Sequence, residues 1–128
     1  MTKIKLVENW IERAFSNLQL AKLGVTSEEI YLEDLCFNAQ QTVEKSLKAL
    51  CIYFDISFPK THNIMFLIEI IKKNGIQVPE EIIEASILNE YAVESRYPGD
   101  YFPVEDSDYK EAIEIAEKVL IWVKDKIK

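Results

Sequence analysis

Glycine and proline are scarce in this chain, three and four among 128 residues. A β-rich or loop-rich fold needs more of both for its turns. Histidine is scarcer, with His62 alone, and arginine occurs only twice. One histidine and two cysteines do not make a Cys/His metal cluster, and no Ser/His/Asp order is legible. No metal site and no cofactor are therefore expected. Cys36 and Cys51 lie 15 residues apart in one predicted helix, roughly 22 Å at a rise of about 1.5 Å per residue, far beyond disulfide reach. They read as small core residues. No apolar run approaches the roughly 18 residues of a membrane span. The opening MTKIKLVENW has no signal-peptide core, so a cytoplasmic location without membrane contact is expected. An excess of positive charge is also missing: 15 Lys and Arg against 22 Asp and Glu leave a net charge of −7. That excludes a broad basic nucleic-acid surface, because non-specific binding depends on neutralising phosphates. A local pocket for one phosphate or one nucleotide remains allowed.

What is present is helical periodicity. Hydrophobic residues make up 48% and charged ones 29%, ordinary for one globular domain over 1–128, with no internal repeat. Leu6, Trp10, Ala14, Leu18 and Ala21 recur at steps of three or four over residues 4–23, and Gly24 stops that helix. Thr26 and Glu29 have the spacing of a capping box. The longest helix spans about 30–55, with a stripe of Leu32, Leu35, Cys36, Ala39, Val43, Leu47, Leu50, Cys51 and Phe54. After SFPK, Thr61 is placed to cap a third helix carrying Ile64, Leu67, Ile68 and Ile71. Gly75 is a stop signal, and Pro79 with Glu80 and Glu81 opens a fourth helix carrying Ile82, Ile83, Leu88 and Tyr91. The last helix starts near Ser107 or Asp108 and runs to the end through Ala112, Ala116, Leu120 and Val123. Its second apolar line, Ile115, Val119 and Trp122, fits either a subunit interface or a wide core face. No stretch alternates with period two. The expected fold is all-α, an up-and-down antiparallel four-helix bundle with an additional short helix.

Three places can carry chemistry. In CFNAQQTVEKSLKAL, Gln41, Lys45 and Lys48 project to one side at i, i+4 and i+7. They read either as a groove for a phosphate or base edge, or as a solvated face on which Glu44 pairs with Lys48. His62, in PKTHNI, is expected in the first turn of the third helix, where the macrodipole disfavours its charged form. It reads as a packing or capping residue, or as an acid/base group whose partner the sequence does not identify. In NEYAVESRYPGDYFP, Arg96 stands among Tyr91, Tyr97 and Tyr101. Arginine binds phosphate bidentately and tyrosine stacks on bases. The competing reading is an arginine that caps the last carbonyls of a helix while Tyr97 packs inward.

AQQTVEKSLKAL, then PKTHNI, then Arg96-Tyr97-Pro98 between the last two helices resembles the HEPN domain family over nearly the whole chain. The resemblance implies a helical bundle, commonly dimeric, and a minimal nucleotidyltransferase as partner, often in a toxin–antitoxin pair. It also implies metal-independent cleavage of RNA by those members that carry an Arg and, a few residues on, a His. Arg96 matches that Arg, but positions 101–103 are Tyr101, Phe102 and Pro103. Tyrosine, with a pKa of about 10, is a poor base at neutral pH, and loss of a general base costs roughly 10²- to 10⁴-fold. The expectation is thus a homodimeric HEPN-type partner of a nucleotidyltransferase. It would bind a nucleotide or RNA phosphate through Arg96, Tyr97, Gln41, Lys45, Lys48 and His62. The alternatives are an endoribonuclease using Arg96 and Tyr101, or a structural dimeric adaptor.

Overall fold

A computed structural model describes residues 1–24, 30–92 and 104–128, and all regular structure among them is helical. Helix α1 spans Lys3–Ala21, α2 Leu32–Tyr53, α3 Ile64–Lys73, α4 Glu80–Ile83 and α5 Asp106–Lys126; a 3-10 helix, Glu84–Tyr91, continues α4. The expected Thr26–Glu29 capping box and the whole stretch 93–103, with Arg96, Tyr97 and Tyr101, lie outside the described residues.

Sequence chemistry sets most of the helix ends. Thr2 caps α1 by accepting the Lys5 N–H at 3.2 Å. Helix α2 ends with Asp55 at φ 57, while the Ile56 N–H donates to Cys51 O at 2.8 Å and the Asp55 N–H to Ile52 O at 3.2 Å. That double bond is the Schellman stop, and buried Ile56 supplies its apolar contact. Gly75 (φ 89) ends α3 in the same way. Helix α5 opens one or two residues earlier than its pattern predicts, through a reciprocal box in which Glu105 and Asp108 satisfy each other's backbone N–H.

The third and fourth helices differ more from expectation. Asn63, not Thr61, caps α3 by accepting from Phe66 N–H at 3.1 Å; the Thr61 hydroxyl accepts from Asn63 N–H at 3.0 Å instead. His62 therefore precedes the helix rather than lying in its first turn. The fourth helix is α only over Glu80–Ile83 and 3-10 beyond. Its buried residues, Ile82, Ala85 and Leu88, recur at steps of three, the period of a 3-10 turn.

Helix α2 is the centre, packed by α1, α3, the 3-10 helix and α5. Lys3 Nζ lies 3.3 Å from Tyr53 O and Asn17 Nδ2 donates to Asn38 Oδ1 at 2.9 Å, so α1 and α2 run antiparallel. Tyr109 of α5 donates to Ala21 O and Lys22 of the α1 cap pairs with Glu117, so α5 also runs against α1 and parallel to α2. Val7, Ala14, Leu18 and Ala21 form the buried face of α1; Leu6 and Trp10, expected there, stand to one side of it. Leu32 is half-buried and Phe54 exposed, so the α2 stripe is shorter than its periodicity suggests. Val119 is buried and Ile115 and Trp122 pack against the core, which makes the second apolar line of α5 part of a wide core face. Buried Cys36 and Cys51 are free thiols with pKa values pushed up by burial, to about 12 and about 11. No helix among the described residues is long and apolar enough to cross a membrane.

Candidate functional site

Helix α2 buries polar side chains as well as apolar ones: Gln40, Thr42, Glu44, Ser46 and Lys48 are all buried. A central helix covered on several sides must satisfy such groups internally. Thr42 and Ser46 do so against carbonyls one turn back, at 3.0 and 2.6 Å. Gln40, Glu44 and Lys48 instead form a network that reaches the PKTHN segment before α3.

Glu44 is its hub. One carboxylate oxygen, Oε2, accepts from Lys48 Nζ at 2.9 Å; the other, Oε1, contacts His62 Nδ1 at 2.9 Å and Gln40 Nε2 at 3.3 Å. Gln41 Nε2 donates to Gln40 Oε1 at 2.8 Å, with a longer contact to Glu44 at 3.4 Å. Gln40 Nε2 also donates to the His62 carbonyl at 3.1 Å, so both ring and backbone of His62 are held from α2. On the far side, Asn63 caps α3 and Asn89 of the 3-10 helix accepts from Ile64 N–H at 2.8 Å. Among the described residues, no buried side-chain polar atom lacks a partner.

Burial alone would raise the Glu44 pKa, but the hydrogen bonds from Lys48, His62 and Gln40 outweigh it and hold the group below its usual range. The ionised carboxylate only accepts, so Nδ1 of His62 carries the proton that it donates. The imidazole side chain is 72% exposed while its partner Glu44 is 4% exposed. A buried charge thus fixes the tautomer of a solvent-facing ring and leaves Nε2 without a partner among the described residues.

Lys48 completes the inner edge. Its ammonium is 5.8 Å from the Trp10 ring centre and 6.0 Å from that of Phe58, within cation–π range. Trp10 in turn lines a cleft of about 380 Å³ beside α1 and α2, together with Leu6, Asn9, Arg13 and Lys45. Lys45 Nζ donates to Asn17 Oδ1 at 2.7 Å, and Arg13 Nε to Asn9 Oδ1 at 3.1 Å. Burial lowers the Lys45 pKa, with Arg13 and Lys48 acting in the same direction and Glu44 against them. Among the described residues no group of three His, Cys, Asp or Glu is placed to hold a metal.

The HEPN domain model matches residues 7–126. The chain belongs to the HEPN domain family. Its fold is also similar to the crystal structure of an archaeal HEPN homologue, with a TM-score of 0.74 at 30% identity over 95% of this chain and 98% of that one. No curated protein matches the chain.

Within this HEPN domain, the residues expected to act together divide, among those described, into two groups: Gln41, Lys48 and His62 around Glu44, and Lys45 against α1. Gln41 and Lys48 are engaged by Gln40 and Glu44, and Lys48 is buried while Gln41 is partly so. The Glu44–Lys48 pair exists, but inside the protein rather than on a solvated face. Lys45 leaves that line and turns to α1. His62 joins Glu44, whose carboxylate, rather than a helix dipole, is its near electrostatic neighbour. Arg96, Tyr97 and Tyr101 lie outside the described residues. The periodicity gave no sign of Arg13, of a cleft role for Trp10 or of the hub role of Glu44. A signal existed for the hub: Gln40, Glu44 and Lys48 continue, at steps of four, the line that buried Cys36 begins.

Proposed function

We propose that this HEPN protein binds the phosphate of a nucleotide or of RNA, as the homodimeric partner of a minimal nucleotidyltransferase in a toxin–antitoxin-like pair. His62 is the principal contact among the described residues, with Arg96 and Tyr97 as further ones. The observation that supports this reading is an exposed imidazole held in one orientation by a buried, ionised glutamate. Anchoring through Nδ1 lowers the entropy lost when Nε2 meets a ligand. With Nε2 protonated it donates to a phosphate oxygen; unprotonated, it accepts from a ribose hydroxyl.

The Glu44–His62 pair also favours a second reading, metal-independent cleavage of RNA. Tyr101 is a poor base, whereas a carboxylate-backed imidazole is suited to taking a proton from a 2′-hydroxyl. One experiment addresses both. The wild type, His62→Ala and Arg96→Ala are mixed in EDTA buffer with fluorescent RNA, and anisotropy and cleavage are followed together, with and without the nucleotidyltransferase. Binding should weaken by at least about tenfold in each variant, the scale of one charged hydrogen bond. Cleavage that disappears with His62 would establish the second reading. Unchanged affinity in both variants would overturn the phosphate-binding reading.

A further inference from the structure

We propose that the cleft between α1 and α2 is a mononucleotide site, in which Arg13 and Lys45 take the phosphate and the Trp10 indole stacks on the base. It rests on the nucleotide reading above but uses none of His62, Arg96 or Tyr97.

The electrostatics come first. In a chain with 22 acidic residues, cations beside an open cleft would ordinarily be matched by carboxylates. Neither Arg13 nor Lys45 has a carboxylate partner among the described residues; each is held by a neutral amide oxygen, Asn9 Oδ1 and Asn17 Oδ1. These contacts orient the cations without neutralising them. Arg13 uses only Nε, so its terminal guanidinium nitrogens retain the donors that grip a phosphate. Lys45 is further fixed because its partner Asn17 is itself held by Asn38 at 2.9 Å. Its pKa is depressed by burial, against the pull of the nearby Glu44 carboxylate and with the push of Arg13 and Lys48, a condition that an arriving anion relieves.

The remaining wall selects a nucleotide over a bare anion. Trp10 and Leu6 line the same cleft as the cations, and an aromatic face next to an arginine suits a flat base joined to a phosphate. Lys48 lies 5.8 Å from the indole centre and is fixed by Glu44, which ties the ring to the α2 network. The volume of about 380 Å³ falls in the range of small-ligand clefts, roughly 300–1,000 Å³. An acidic peptide would use the cations and leave the indole without a matching surface.

Calorimetric titration of the full chain tests this, with adenosine monophosphate, inorganic phosphate, a 5′-phosphorylated oligoadenylate and an oligoglutamate as probes. Adenosine monophosphate should bind the wild type more tightly than phosphate does. Arg13→Gln and Lys45→Gln should each weaken it by at least about tenfold. Trp10→Leu should lower nucleotide affinity by roughly fivefold or more while keeping phosphate binding. Exposed Arg13 makes the test independent of any folding defect in the tryptophan variant, which thermal melting would reveal. An oligoadenylate tighter than the monophosphate assigns the site to an RNA end, and the reverse to a free nucleotide. No nucleotide binding, equal affinity for phosphate and nucleotide, unchanged affinity in both charge variants, or tighter binding of oligoglutamate would each overturn the inference. Loss confined to His62→Ala and Arg96→Ala would overturn the cleft and keep the function proposed above. Loss confined to the cleft variants would keep the cleft and overturn the assignment of the phosphate to His62 and Arg96.

Discussion

Glu44 is a charge kept inside the protein by its neighbours. Taking a carboxylate out of water is costly, and removing one member of a buried pair typically costs about 3–5 kcal/mol because the other is left uncompensated. Glu44→Gln leaves the Lys48 ammonium, 9% exposed, without its counter-charge, and a loss of about 3 kcal/mol in urea unfolding is expected. The pH dependence has a definite sign. The folded pKa lies below the ordinary value of 4.5, so the unfolded chain takes up the proton first as pH falls. The Glu44 contribution is therefore complete above that value and lost as pH drops from 4.5 through the folded pKa. The stability gap between wild type and Glu44→Gln should close as pH falls below about 5; a gap that does not change between there and the acid transition would contradict this. The pairing was only half legible in the sequence. Glu44 and Lys48 are four apart, but Glu44 and His62 are 18 apart across a helix end and a loop, and no spacing rule joins them.

At the scale of elements, the PKTHN segment matters because it turns a loop histidine into a fixed one. Asn63 caps α3 and also accepts from Asn89 Nδ2 at 3.1 Å, while Asn89 Oδ1 takes the Ile64 N–H. Two asparagines from different elements thus satisfy the first turn together. Asn63→Ala should cost about 1 kcal/mol or somewhat more, and Asn63→Asp much less, since aspartate caps equally well. Chemical denaturation of both variants checks it, and equal losses would show that neither contact of the Asn63 oxygen, with Phe66 N–H or with Asn89 Nδ2, is the stabilising one. Helix existence was legible from periodicity, and the Gly75 stop from glycine chemistry. The identity of the cap was not, because Thr61 and Asn63 are both good cap residues and tertiary contacts from Gln40 and Asn89 choose between them. The 3-10 stretch left a trace in the spacing of Ile82, Ala85 and Leu88. Three residues at steps of three fit an α-helical face nearly as well, so the trace alone did not separate the two.

For the whole molecule, the net charge of −7 argues against an extended electropositive surface, and what it leaves room for is local. Two such places stand side by side on the central helix: the His62 imidazole backed by Glu44, and the Arg13–Lys45 cleft beside Trp10. The all-helical class and the HEPN resemblance were legible because AQQTVEKSLKAL and PKTHNI are both read from sequence. The reason these two motifs belong together is the three-dimensional contact between them, in which α2 supplies the carboxylate and the loop supplies the ring. Because His62 is the only histidine, one measurement addresses that contact without ambiguity: long-range proton–nitrogen NMR of the single imidazole, recorded with and without RNA. A ring protonated at Nδ1, dependent on Glu44 and shifted at Nε2 when RNA is added, is the predicted result. A ring protonated mainly at Nε2, indifferent to Glu44→Gln and to RNA, would contradict the account.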